Sequence, residues 1–182
     1  MTSKRLLFLL IAAILAPLAT FAQSTIIYQT GFEEYASGSL PTGWTKVISG
    51  SSAKALSSNA HTGTNSFGFT YAPKKNGTYY NIVALPAFEI VTGSASIEFW
   101  SKAETNNAYC GQFEVGYITD VTNGSTFVPM ANYNYTQHLN YTHIALDMSQ
   151  MPENARIAFR HHPNTTNYKW YIDDLKVYAE LF

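Results

Sequence analysis

The chain has a single cysteine, Cys110, among 182 residues, so no disulfide can form within it. Small exported domains commonly depend on such bridges because their cores are small. This chain must depend on its packed core, with or without a bound metal. Charge is scarce too. There are 11 Lys plus Arg and 12 Asp plus Glu, and the four types together make up 13% of the residues. They form no basic patch, which argues against nucleic acid as a partner and against attraction to an anionic membrane surface. No sustained helical period, internal repeat, heptad or charge block is present. There is no Gly-x-Ser-x-Gly elbow, and no motif surrounds Cys110. The histidines follow no zinc spacing: His138 and His143 are five apart, and His161-His162 on a strand would face opposite ways. Glycosidase chemistry needs two carboxylates about 5 to 9 Å apart. Glu98 and Glu114 could lie on neighbouring strands, but neither sits in an acidic motif, and solvated strand faces account for both.

The first apolar run is a leader. Lys4 and Arg5 precede Leu6 to Leu18, and Thr20-Phe21-Ala22 puts small side chains where a signal peptidase reads. Cleavage after Ala22 is expected. Removing 22 from 182 residues leaves a 160-residue domain over 23–182 with a net charge near −3. No cysteine follows for lipid attachment, and no second apolar run is long enough to span a bilayer. The expected location is secreted, periplasmic or on the cell surface, without membrane insertion. Five Asn-x-Ser/Thr sites, at Asn76, Asn123, Asn134, Asn140 and Asn164, would carry glycans only in a eukaryotic host; chance in an Asn- and Thr-rich chain is the favoured reading.

What is abundant is β pattern. Ile97 and Phe99 alternate with Glu98 and Trp100; Phe113, Val115 and Tyr117 with Glu114 and Gly116; Ile144, Leu146 and Met148 with Ala145 and Asp147; Ile157 and Phe159 with Ala158 and Arg160. Period two in branched and aromatic residues predicts strands. Further strands are expected at 25–30, 44–48, 66–71, 79–84 and 170–178. Pro41-Thr42-Gly43, Asn76-Gly77, Thr92-Gly93, Asn123-Gly124 and Pro163-Asn164 supply turns. Residues 49–58 read as a surface loop, and 149–154 as a single helical turn. The fold class is all-β, an antiparallel β-sandwich of jelly-roll type.

Two acidic motifs stand at opposite ends of the domain: Gly31-Phe32-Glu33-Glu34, and Tyr171-Ile172-Asp173-Asp174-Leu175. If the first and last strands are neighbours, their carboxylates converge at one edge. On the last strand Asp173 shares a face with Leu175 and Val177, and so is expected to point inward. An inward carboxylate needs a cation, an arginine or several backbone N–H donors. Calcium suits carboxylates and carbonyls at loop ends; the alternative is two solvated acidic turns. Aromatics are plentiful, with 13 Tyr, 11 Phe and 3 Trp. Tyr79, Tyr80, Tyr133 and Tyr135 are candidates to stack on sugar rings, although Tyr is also an ordinary strand residue.

The same motifs carry a resemblance. Gly31-Phe32-Glu33-Glu34, Leu40-Pro41-Thr42-Gly43-Trp44, Ala84-Leu85-Pro86-Ala87-Phe88, Ile97-Glu98-Phe99-Trp100, Phe113 to Thr119, Leu146-Asp147-Met148-Ser149, Ile157-Ala158-Phe159 and Tyr171 to Leu175 occur in order. The set resembles the cleaved-adhesin, choice-of-anchor J and MAM-like group across nearly the whole mature chain. It is also similar in outline to calcium-bearing jelly-roll carbohydrate-binding modules, whose middle turn His61-Thr62-Gly63-Thr64-Asn65-Ser66 resembles. The resemblance implies an exported, non-catalytic module that recognises a carbohydrate or a surface protein. It implies a structural calcium held by Glu33 and Asp173, with Gly31, Asn65 and Asp174 beside them, and it makes Trp44 a structural plug. The rival classes are a small glycan-active hydrolase and a subunit of a surface assembly.

Overall fold

The alternating segments become strands that pair only antiparallel. The computed structural model describes residues 24–90 and 93–180; the expected leader, residues 1–22, lies outside them. In chain order the strands are β1 (Thr25–Thr30), β2 (Thr45–Lys46), β3 (Ser52–Leu56), β4 (Ser66–Tyr71), β5 (Lys74–Lys75), β6 (Thr78–Tyr79), β7 (Asn81–Ala84), β8 (Ser96–Ala103), β9 (Gln112–Ile118), β10 (Phe127–Asn134), β11 (Thr142–Asp147), β12 (Arg156–His162) and β13 (Trp170–Ala179). One sheet runs β11-β8-β13-β4-β3, with β1 also paired to β13; the other runs β10-β9-β12-β7-β2; β5 and β6 form a separate hairpin. The two sheets pack face to face as a jelly-roll sandwich.

The core between them is aromatic. Phe32, Phe67, Phe69, Phe99, Phe113, Phe159 and Trp170 are fully buried, and the Phe113 and Trp170 rings stack with centroids 5.2 Å apart. Rings of this size bury enough apolar surface to hold the sheets together without a disulfide. Trp44 plugs the core against Phe32, Phe67 and Phe159, and its indole N–H donates to the Tyr28 hydroxyl at 2.8 Å.

Three local expectations are corrected, and one strand appears that the sequence did not mark. Residues 49–58 are not simply loop: β3 lies within them, pairs with β4 and buries Ala53 and Ala55. Its small side chains give a weak strand signal. Its outer edge is covered by the 36–39 turn, since Gly38 N–H donates to the Ala55 carbonyl and Ala55 N–H to that of Ser39. β10 carried no strand signal because Pro129 and two asparagines, Asn132 and Asn134, interrupt it; it is an edge strand with an irregular register at Pro129. The segment expected at 79–84 divides into β6 and β7. Residues 149–154 make no helix, only turns closed by Met151 N–H to Met148 and Ala155 N–H to Pro152.

Candidate functional site

The acidic motifs do meet at one edge, but around a turn. β1 pairs with the second half of β13, which brings Gly31-Glu34 beside Asp173-Asp174. Into this corner folds the 61–65 turn. Glu33 accepts from the Thr64 N–H (2.8 Å), the Asn65 N–H (2.7 Å) and the Thr64 hydroxyl (2.8 Å). These donors draw the exposed Glu33 carboxyl below the usual range. Gly63 has φ +65°, and a Cβ there would collide with the Glu33 carboxylate. Asp173 accepts from the backbone N–H of His61 (2.7 Å), Thr62 (3.2 Å) and Asp174 (2.8 Å). Asp174 holds the His61 ring at 2.6 Å and the Thr62 hydroxyl at 2.6 Å. Three carboxylates thus clasp one turn. The stacking of His61 on Trp100, with centroids 3.9 Å apart, completes the closure.

The strand-face reading of Asp173 is overturned by a bulge. The β13–β8 register slips between Asp173 and Lys176, and Asp174 has φ +46°. Before the slip Trp170 and Ile172 face the core; after it Leu175 and Val177 do. Asp173 pairs with Trp100, whose neighbours Phe99 and Ser101 point inward. It therefore lies on the outer face, fully buried beneath the turn rather than in the core. Burial lifts its carboxyl to about 6, against the pull of its three N–H donors and with some help from the Asp174 charge.

These residues fit a calcium ion only in part. A cation needs acceptor oxygens that remain open. Glu33 and Asp173 turn theirs onto N–H and O–H donors, while the Asn65 amide nitrogen donates to the Phe32 and Tyr35 carbonyls. Asp174 and Glu34 line one cleft together with Gly31, Thr30 and Lys176, but Asp174 already holds His61 and Thr62, and one Glu34 oxygen accepts from the Thr30 hydroxyl. Among the described residues, no three His, Cys, Asp or Glu side chains gather as a metal cluster.

A second arrangement lies on the outer face of the β10-β9-β12-β7-β2 sheet. Arg160 on β12 is in register with Glu114 on β9, and Asn132 on β10 pairs with Glu114 from the other side; two residues along, His162 is in register with Gln112, and Gln112 with Asn134. Arg160 grips Glu114 through Nε at 2.5 Å and a second nitrogen at 3.1 Å, and His162 Nε2 is 3.3 Å away. Glu114 is only 7% exposed, which corrects the expectation of a solvated face. Burial alone would raise its carboxyl; the hydrogen bonds from His162 and Arg160, with the Arg160 charge, bring it instead to about 2. Arg160 lies over Phe127, 4.4 Å from its centroid, and the Tyr80 ring leans on His162 at 5.6 Å. Glu98, expected as a possible neighbour of Glu114, is on the other sheet, bonded to Tyr178 and Lys176.

His162 divides two open depressions. One includes Gln112, Glu114, Asn134, Tyr135 and Asn164 in its lining; the other includes Asn76, Thr78, Tyr80, Ser125 and Arg160. Of the tyrosines singled out from sequence, Tyr80 and Tyr135 meet at this face. Tyr133 instead lines a cleft with His138 and His143, and Tyr79 lies in the β5–β6 hairpin beneath the Lys74 ammonium. The sequence reading missed Glu114, Arg160 and His162 as a unit. The available signal was the parity of Arg160 and His162, which places both on the face opposite Phe159 and His161.

No protein-family model matches the chain, and no curated protein matches its sequence. Solved structures match its fold. The K3 cleaved adhesin domain of Lys-gingipain from Porphyromonas gingivalis superposes with a TM-score of 0.65 at 16% identity, covering 86% of this chain and 99% of that one. The K1 cleaved adhesin domain of the same protein gives 0.61 at 13% identity, over 84% and 97%. The CBM22-1 xylan-binding domain from Paenibacillus barcinonensis Xyn10C gives 0.56 at 10%, over 87% and 97%. The shared property is the jelly-roll sandwich. Adhesin domains and carbohydrate-binding modules are therefore the structural neighbours of this chain.

Proposed function

We propose that the chain is an exported, non-catalytic binding module that takes carbohydrate on the outer face of the β10-β9-β12-β7-β2 sheet. The observation that carries this is the Glu114-Arg160-His162 group set between Tyr80 and Tyr135 on an open sheet face. Sugars present hydroxyls along their edges and C–H groups on their faces. Gln112, Asn134 and His162 offer donors and acceptors at fixed strand spacing, and the two tyrosines offer rings with polar tips. From β7 to β10 is three strand intervals, roughly 14 Å, the length of a short oligosaccharide. Glu114 is the one carboxylate among the described residues lining the two depressions, whereas glycoside hydrolysis calls on two. Its tight pairing to Arg160 also suits a fixed hydrogen-bonding post better than a proton donor. The leader sequence supports export. Among the described residues, no helix is long and apolar enough to cross a membrane.

Glycan-array screening of residues 23–182, followed by calorimetry with the best oligosaccharide, tests this reading. Gln112→Ala, Asn134→Ala and His162→Ala should each weaken binding by up to about tenfold, the worth of roughly 1.4 kcal/mol. An oligosaccharide bound equally well by all three variants would move the site elsewhere. Turnover of the ligand would overturn the non-catalytic reading.

The proposal includes a calcium ion at the acidic edge. Hard oxygen donors at loop ends support it, with Glu34, Asp174 and the Gly31 segment lining the cleft and Glu33, Asp173, Asp174 and Asn65 as holders of the turn. A bound ion would neutralise Glu34 and Asp174 across Gly31. Calcium at a hundredfold excess over its Kd would add about 2.7 kcal/mol. A melting temperature unchanged by thorough chelation and by added calcium would leave the turn's own N–H donors as sufficient partners.

A further inference from the structure

Two motif segments that the glycan face does not use build a pocket at the other end of β12. The β7–β8 connection contributes Phe88, Glu89, Ile90, Gly93 and Ala95; the β11–β12 connection contributes Met148, Met151, Pro152, Glu153, Asn154 and Ala155. The pocket begins beside Ala155, whereas His162 closes β12 about 20 Å away at strand spacing. It is the more enclosed kind of hollow, about 240 Å³, which is room for one side chain or several waters. Four of its lining residues, Ala95, Met148, Met151 and Ala155, are apolar and buried. Phe88 and Ile90 form half-buried walls. At the rim stand Glu89 and Glu153, both exposed, and no lysine or arginine lines the pocket among the described residues.

The rim carboxylates differ from nearly all others in the chain. Glu33, Glu34, Glu98, Glu104, Glu114, Asp120, Asp147, Asp173 and Asp174 each accept a hydrogen bond within the fold. Glu89 and Glu153 accept none among the described residues. A pocket of mixed lining, with buried apolar side chains and two exposed acids that have no partner among the described residues, matches one kind of ligand, a group with a hydrocarbon stem and a cationic head. Lysine and arginine side chains have that form. Methionine floors adapt to such stems, and an aromatic wall adds a face for the cation. An uncharged chain would gain nothing from either carboxylate.

We propose that this pocket receives an exposed lysine or arginine side chain of a partner protein. One exposed ion pair is weak on its own, so the occupant is an anchor within a wider protein contact rather than a free amine held alone. The site is separate from the glycan face and stands or falls independently of it.

The test uses residues 23–182 and three small probes: Nα-acetyl-lysine amide, Nα-acetyl-arginine amide and the uncharged Nα-acetyl-norleucine amide. NMR titration should show the two cationic amides shifting the Met148 and Met151 methyl signals, with norleucine amide at least fivefold weaker. The Glu89→Gln/Glu153→Gln double variant should melt like the parent, bind the cationic amides at least fivefold more weakly, and lose the salt dependence of binding. Hen lysozyme, rich in surface lysine and arginine, should be retained by immobilised parent chain at low salt and not by the double variant. No shift at the two methionines, equal binding of norleucine amide, or retention indifferent to the double variant would each overturn the proposal. Binding of the amides without retention of lysozyme would also overturn it, leaving a pocket for small amines.

Discussion

Asp173 and Glu114 are both buried carboxylates on outer sheet faces, and their environments drive them opposite ways. Asp173 rises to about 6 although it accepts three backbone N–H groups. Glu114 falls to about 2 although burial opposes it. The difference lies in the partners. Asp173 meets backbone dipoles and the neighbouring Asp174 carboxylate, and those dipoles do not offset its desolvation. Glu114 meets side-chain donors from His162 and from the Arg160 guanidinium in two-point contact, and these hydrogen bonds, with the Arg160 charge added, do. Backbone hydrogen bonds therefore do not by themselves decide the ionisation of a buried acid; the kind and charge of the partner matter.

Breaking the Glu114 side should have the largest effect. Arg160→Leu leaves a buried carboxylate without its cation and should cost about 3 kcal/mol, seen as a fall in melting temperature of roughly 6 to 12 °C. Glu114→Gln combined with Arg160→Leu should recover part of that loss. A single variant as stable as the parent would show that Glu114 is less enclosed than the geometry gives.

The pH dependence sharpens the contrast. Glu114 is depressed in the folded state, so its contribution is present above its ordinary value of 4.5 and is lost as pH falls through about 2. Asp173 is raised, so the folded chain binds its proton more tightly; that contribution is present below 3.8 and is lost as pH rises through about 6. His161, fully buried and lowered to about 4 by desolvation, works against Asp173 in this window, since its contribution is present above 6.5 and lost as pH falls through about 4. Denaturant melts in chelator should therefore give a nearly flat stability between pH 4 and 6. Asp173→Asn should expose the His161 dependence, with stability rising as pH rises. Identical pH profiles for parent and variant would remove Asp173 from the balance.

Gly63→Ala should follow, destabilising by about 1 to 2 kcal/mol from its positive φ and its collision with Glu33; thermal melts check it. Thr64→Val should have the smallest effect, a barely measurable fall in melting temperature, because it removes one solvent-exposed donor from Glu33. A large loss would mean that the clasp is more cooperative than its separate bonds.

The strands legible in the sequence are those with large alternating side chains, such as β8, β9, β12 and β13. β3 escaped because Ala53 and Ala55 bury without announcing it, and β10 because Pro129 and its asparagines speak for a loop. The meeting of the two acidic motifs was legible, since both flank strand ends. What they meet was not. The bulge at Asp174 belongs to the pairing of β13 with β8 and β1, and it re-aims Asp173 onto a turn over a hundred positions earlier. The Glu114-Arg160 pair was hidden for the same reason: inter-strand register is a tertiary property, and one slipped residue would put the two on opposite faces.

The place of β13 has a kinetic consequence. The last strand in chain order is bonded to β8 on one side and to β4 and β1 on the other. Its sheet cannot close until synthesis has passed residue 179, and the contact that completes it joins Thr25 to Ala179. Closure of so long a loop should dominate the folding barrier. Until then β1, β4 and β8 wait with open edges, and the chain stays threadable until its final strand arrives.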